Sequence, residues 1–201
     1  CSAEGVLFNK GKTAIKCYPG GKTGPYAIPA DVTHIGYSAF YGCGKLTDIT
    51  IPDSVTSIGG YAFKDCSSLT GTTIPVSVTR IEYEVFKGCS SLAGITIPES
   101  ITYIGDDAFG GCVGLTGIEI PVSVIKIEDR AFSGCTSLIF INVDENNLQY
   151  CSIDGVLFNE NRTEIICYPR GKTGAYAVPE DVINIGRSEE HTSELQSLAY
   201  L

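Results

Sequence analysis

One spacing dominates the chain: the same residue types return every 23 positions. Pro29, Pro52, Pro75, Pro98 and Pro121 keep that step, as do Phe40, Phe63, Phe86, Phe109 and Phe132. Cys43, Cys66, Cys89, Cys112 and Cys135 follow it too, together with Leu46, Leu69, Leu92, Leu115 and Leu138, and with Ile35, Ile58, Ile81, Ile104 and Ile127. No helix or strand has a period near this length, so the repeating unit is larger than one element of secondary structure. It reads as one coil of a solenoid, in which equivalent side chains of successive coils stack and the core becomes a set of ladders. The expected architecture is a single elongated repeat domain.

Within a coil, the segment Leu46-Thr-Asp-Ile49-Thr-Ile51-Pro52 alternates apolar with small polar residues. That is the period of a half-buried strand, and the proline ends it. Stacked coil on coil, such strands form a parallel sheet. Val55-Thr-Ser-Ile58-Gly59 supplies two more inward positions. Ala39-Phe40-Tyr41-Gly42-Cys43 carries apolar side chains too closely spaced for a strand, and predicts a single helical or 3₁₀ turn on the other side of the solenoid. Gly42, Gly88, Gly111 and Gly134 are placed to close that turn. Asp65 interrupts the glycine column and predicts a slightly different turn in its coil.

The joint pattern L-x-x-I-x-I-P-x-S-V-x-x-I-x-x-x-A-F-x-x-C is similar to the 23-residue leucine-rich repeat of BspA-like surface proteins. Five regular coils match it across residues 32–143. The flanks, residues 1–31 and 151–186, resemble the longer unit that this family intersperses among regular coils. Cys1 to Gly36 and Cys151 to Gly186 share G-V-L-F-N, T-x-I, C-Y-P-x-G-K-T-G and Y-A-[IV]-P-x-D-V-x-x-I-G at a displacement of 150. Each is expected to be an outsized coil with a hairpin: strand Val6-Leu7-Phe8, polar turn Asn9 to Lys12, return strand Thr13 to Tyr18, then the ladder strand Tyr26-Ala27-Ile28. Because Cys151 repeats Cys1, Cys1 reads as a repeat position and not as a lipid anchor. The leucine-rich-repeat solenoid thus covers residues 1–186. Beyond Gly186 the expected Phe, Gly-Cys and Leu do not follow, and Arg187 to Ser197 resembles the translation of a sequencing-library adapter, so residues 187–201 read as a non-native tail. The absence of Met and of a signal peptide's basic and apolar regions at the start reads as a fragment or a mature form.

Chemistry-bearing motifs are few. The nine cysteines lack C-x₂₋₄-C spacing, pairs such as Cys1/Cys17 and Cys151/Cys167 lying well beyond it, which argues against zinc. Stacked coils lie about 4.8 Å apart, within disulfide range for Cα atoms, but side chains in a ladder point in parallel and their Cβ atoms do not close to about 3.8 Å. The column is expected to be small, buried, free thiols. A cysteine nucleophile would need a base, and His34 falls in the column His34, Ser57, Arg80, Tyr103, Lys126, whose varied chemistry marks a solvated position. Gly21-Lys22-Thr23 and Gly171-Lys172-Thr173 mimic the end of a phosphate-binding loop, but Lys16 and Ile166 stand where its first glycine belongs. Asp144-Glu145-Asn146-Asn147 lacks the residue order of a calcium loop and reads as a solvated junction, and Asn161-Arg162-Thr163 is a glycosylation sequon that matters only in a secreting eukaryote. No catalytic, cofactor-binding or metal-binding residue is therefore assigned.

Outward strand positions offer a partner two columns: Thr50, Thr73, Thr96, Glu119, Asn142, and Asp48, Gly71, Gly94, Gly117, Phe140. Most are small, so weak multivalent contact fits them better than one tight interface. Tyrosines outside the strands, Tyr37, Tyr41, Tyr61, Tyr83 and Tyr103, are the better anchors. A formal charge of −9 argues against a nucleic-acid partner, and no apolar stretch is long enough to insert in a membrane. The resemblance implies a non-enzymatic, cell-surface or secreted adhesion module whose partner is a protein or cell-surface ligand, extracellular matrix included. The alternatives are a structural spacer projecting another domain and an appendage of an enzyme.

Overall fold

The structure is a computed structural model that describes residues 1–186, so the tail assigned to residues 187–201 lies outside the described residues. The chain winds into stacked coils with three walls. The first is the strand wall. Gly24–Ala27 pairs in parallel with Leu46–Thr50, and Gly117–Ile120 pairs in parallel with Phe140–Val143 in a register shifted by one repeat, Gly117 opposite Phe140 and Ile120 opposite Val143. Between these pairs the predicted strands of the third and fourth coils shrink to a single parallel bridge, Thr73 to Thr96. The amide-to-carbonyl distances down this wall lengthen accordingly, from 3.1 Å at Thr70 to Thr47, through 3.3 Å at Ala93 to Thr70 and 3.5 Å at Thr116 to Ala93, before tightening to 2.8 Å at Ile139 to Thr116. Gly71 and Gly94 explain the loosening, since glycine packs no side chain against its neighbours and strands through it are weak.

The second wall follows each proline. His34–Ile35 pairs with Ser57–Ile58, and Tyr103–Ile104 lies between Arg80–Ile81 and Lys126–Ile127, all parallel. The turns leading into it are tied vertically: the Ser54, Ser100 and Ser123 hydroxyls donate to the Val32, Val78 and Ile101 carbonyls of the preceding coils at 2.7, 2.7 and 2.8 Å. Asn147, one repeat after Val124, closes this wall. It is buried, its Nδ2 donating to the carbonyls of Pro121 and Val124 and its Oδ1 accepting from the amides of Gln149 and Tyr150, so this part of the acidic junction is structural and not solvated.

The third wall corrects the expected helical turns: among the described residues there is no α or 3₁₀ helix. Its amides alternate in destination. Ala39, Tyr41 and Cys43 donate within the coil, three residues back, whereas Ser38, Phe40 and Gly42 donate to Gly60, Ala62 and Lys64 of the next coil at 3.1, 2.8 and 2.8 Å. A 3₁₀ helix would use every amide internally. Left-handed residues flip alternate peptide planes: Ser38, Tyr61, Glu84 and Asp107 have φ between 52 and 58°, and Gly42, Gly88, Gly111 and Gly134 between 69 and 73°. Asp65 adopts φ 58°, so it keeps the glycine geometry and its turn does not differ. These are the positive φ values that the third residue of a type II turn requires.

Between the walls lies one continuous core. The rings of Phe40, Phe63, Phe86, Phe109 and Phe132 stack at centroid separations of 5.1, 5.5, 5.7 and 5.7 Å. Beside them the thiols of Cys66, Cys89, Cys112 and Cys135 each donate at 3.1 Å to the carbonyl of the preceding coil's phenylalanine. The hairpins of the flanking units are present, Val6–Phe8 pairing antiparallel with Ala14–Cys17 and Val156–Asn159 with Glu164–Cys167.

Candidate interaction surface

The strand wall carries a groove of about 740 Å³. Its floor is Gly71 and Gly94, where a Cβ would meet no atom within 4 Å. Thr50, Thr73 and Thr96 line it in register, Asp48 stands toward one end, and Glu119 and Phe140 toward the other. Five of the residues assigned from the sequence, Thr50, Thr73, Thr96, Glu119 and Phe140, therefore share one groove. Asn142 sits at its border, its Nδ2 donating to Glu119 Oε1 at 3.1 Å. Phe140 does not stand out from the wall. The tip of its ring reaches over Gly117, where any Cβ would overlap it, and this sets an aromatic ring at one end of the groove. No Lys or Arg is among the lining residues, so the groove is polar and acidic.

The tyrosines divide into two places. Tyr37, Tyr61 and Tyr83 form an edge-to-face cluster on the turn wall, with centroids 5.2 Å apart for the first pair and 5.1 Å for the second. Gly60 makes the cluster possible, because a Cβ there would come within 2.8 Å of the Tyr83 ring. Tyr103 is not a member. Arg80 stacks on its ring at 3.9 Å and its hydroxyl is 3.0 Å from Glu128 Oε1, so it is committed to intramolecular contacts.

A feature not legible from the columns runs beside the cluster. Lys64 Nζ lies 2.6 Å from Glu84, Lys87 Nζ 2.8 Å from Asp107, and Arg130 2.6 Å from Asp106, linking coils by a ladder of alternating charge. The Arg130 guanidinium holds the Asp106 carboxyl below the usual carboxylate range, and hydrogen bonds to Glu84 and Asp107 raise Lys64 and Lys87. The pairs are offset by 20 or 24 residues, not 23, so inspection of single columns misses them. His34 is exposed and hydrogen-bonded at Nδ1 to Thr33 Oγ1, and the core thiols are occupied by carbonyls. Among the described residues no group of three or more His, Cys, Asp or Glu is placed to hold a metal ion, and no helix is long and apolar enough to cross a membrane.

Stacked parallel strands, a continuous ladder core and a repeating coil define the leucine-rich-repeat class. The family model for the BspA-type leucine-rich repeat region matches residues 23–139 and 61–167, and the chain belongs to that family. A leucine-rich cell surface protein from Faecalibacterium prausnitzii is similar, with 39% identity and a TM-score of 0.67 over 71% of this chain and 38% of that one. A leucine-rich repeat protein from Eubacterium ventriosum shares 26% identity with a TM-score of 0.65, over 86% of this chain and 50% of that one. One from T. pallidum shares 26% identity with a TM-score of 0.63, over 90% and 78%. The chain thus spans about two fifths of the Faecalibacterium protein and half of the Eubacterium one. No curated protein matches the sequence. Repeat proteins of this class serve generally as binding modules, which is the level of function the family carries to this chain.

Proposed function

We propose that the chain is a non-enzymatic, cell-surface or secreted module that binds a protein or cell-surface ligand along the groove of its strand wall, in the manner of an adhesin for extracellular matrix or other cells. The observation that carries this reading is the groove itself. It is an extended, open-floored depression running across coils, lined by small hydroxyls, with acidic groups toward its ends and an aromatic ring at one of them. The family and the cell-surface description of the Faecalibacterium relative support the location. The groove favours binding over a pure spacer, because a spacer has no use for a loosened sheet with two bare glycines.

The test is a binding screen of the full chain against matrix proteins and intact cells, with two variants. Thr73→Arg with Thr96→Arg fills the groove from exposed positions, and Tyr37→Ser with Tyr61→Ser and Tyr83→Ser removes the tyrosine cluster. Saturable binding lost in the first variant and kept in the second is the expected result. Loss only in the second moves the site to the turn wall, and no binding to any surface supports the spacer.

A further inference from the structure

Glu119 lines two cavities at once: the groove of the strand wall, and a smaller hollow of about 190 Å³ beside it whose other charged residues are Glu99 and Asp144. Only the fold brings these acids together, since Glu99 follows Pro98, Glu119 lies in the strand Gly117–Ile120, and Asp144 follows the strand Phe140–Val143. No Lys or Arg lines the groove or the hollow. The acids of the other walls are in a different state. Glu84, Asp106 and Asp107 are paired with Lys64, Arg130 and Lys87. Glu82 and Glu128 are paired with Arg80 and Lys126. Among the described residues Asp48, Glu99, Glu119 and Asp144 have no such cation, and all four are exposed.

The hydroxyls divide in the same way. Thr33, Thr56, Thr70 and Thr102 each donate to a threonine carbonyl of the preceding coil at 3.1 to 3.3 Å. The side chains of Thr50, Thr73 and Thr96, in register along the groove, make no hydrogen bond among the described residues. The groove thus holds uncommitted hydroxyls along its length, the single carboxylate of Asp48 toward one end and three carboxylates at the other. An exposed carboxylate holds a lone cation weakly, so an occupant gains by meeting both ends at once. Asp48 and Glu119 stand three coils apart, about 14 Å at the spacing of stacked strands, and an extended chain rising about 3.3 Å per residue covers that in about four residues.

We infer that the groove takes an extended basic peptide segment, with one arginine in the hollow of Glu99, Glu119 and Asp144 and a second basic residue about four positions away at Asp48. A guanidinium suits the hollow because its planar fork donates to several carboxylate oxygens together. Phe140, at the same end of the groove, offers its ring to the aliphatic stem of that side chain. The bare floor at Gly71 and Gly94 leaves room for the peptide backbone, whose amides and carbonyls meet the free threonine hydroxyls. This inference rests on the reading of the groove as the binding surface and names what it binds.

The experiment titrates the full chain against a fluorescent Gly/Ser peptide bearing two arginines four positions apart, against the same peptide with citrulline in their place, and against neutral oligosaccharides. Three variants accompany the parent. Glu99→Gln with Glu119→Gln removes charge while keeping shape. Gly71→Val with Gly94→Val fills the floor without adding charge, at positions where a side chain meets no atom within 4 Å. Glu4→Gln with Asp31→Asn makes the same change in net charge away from the groove. The arginine peptide is expected to bind the parent and the last variant alike, to lose about tenfold or more in affinity with each of the other two, and to weaken as salt is raised. The citrulline peptide should not bind. Equal weakening by the two charge variants would reduce the effect to net charge and overturn the inference, as would equal binding of the citrulline peptide or no binding of the arginine peptide. An oligosaccharide that binds the parent, is lost in the valine variant and is indifferent to Glu99→Gln with Glu119→Gln would overturn the basic peptide while leaving the groove as the binding surface. Arginine-peptide binding kept in the valine variant would overturn the inference by placing the site elsewhere.

Discussion

Phe86 and Arg80 sit six positions apart in one coil and test the inside and outside of the solenoid against each other. Phe86 is fully buried, its ring between those of Phe63 and Phe109. Phe86→Ala is expected to cost about 3–5 kcal/mol in urea unfolding, because the rigid ladder cannot collapse into the cavity. The period alone makes Arg80 a free surface residue, but it stacks on Tyr103 and pairs with Glu82 at 2.9 Å. Exposed contacts of this kind contribute about 0.5–1 kcal/mol, and Arg80→Ala should fall there. Comparable losses from the two substitutions would reverse the assignment. The same contrast shows what a single sequence exposes at this scale. Whether a side chain points inward follows from its column, and Thr50, Thr73 and Thr96 were placed correctly on that basis. The partner of an outward side chain depends on diagonal offsets, so neither the Lys64–Glu84 pair nor the fold of Phe140 over Gly117 was legible.

The turn wall and the cysteine column are the elements whose behaviour departs most from a generic repeat. Gly111 has φ 69°, and a Cβ there would meet the Gly88 backbone at an ordinary contact distance of 3.7 Å, so Gly111→Ala meets no clash and should cost about 1 kcal/mol for the left-handed backbone alone. Asp65 already pays that conformational penalty at φ 58°, and Asp65→Gly should shift stability by no more than about 0.5 kcal/mol, glycine's freedom in the unfolded chain offsetting the relief. Matched urea melts of the two variants check the claim, and a large destabilisation by Asp65→Gly would refute it. This geometry was hidden because Ser38, Tyr61, Glu84 and Asp107 share a backbone conformation without sharing chemistry. In the thiol column, burial pushes Cys89 and Cys135 up to about 12 and moves Cys112 in the same direction. A thiol whose folded value is raised contributes stability that is intact below the unfolded value near 9 and is lost as pH rises towards 12, since only the unfolded chain can ionise in between. The protein should therefore lose stability progressively above about pH 9, and replacing Cys89 and Cys135 with Ala should flatten that slope. A slope unchanged in the double variant would show that the thiols are not responsible. Reductant should leave the melting temperature unchanged, because all nine cysteines are free, and a fall of several degrees would reveal a cross-link.

At the scale of the molecule, a solenoid has no centre except by position: each coil contacts only its neighbours, so protection is set by the number of coils on either side. The architecture was readable in advance because a fixed 23-residue step leaves few ways to bury several apolar columns at once. The loosened strand wall, and with it the groove, was not, since Gly71 and Gly94 read equally well as small outward residues on an intact sheet. The coil-to-coil hydrogen bonds offer the most direct test of the account. Phe63, Phe86 and Phe109 donate their amides to Val85, Ala108 and Ala131 of the following coil, all at 2.9 Å. Residue-resolved hydrogen exchange should find the Phe86 amide among the slowest in the chain, with protection falling in both directions towards Val6–Phe8 and Asn184–Ile185. A Phe86 amide that exchanges as fast as those end strands, or a profile in which the two hairpin units outlast the central coils, would contradict a stack of coils held together by their neighbours.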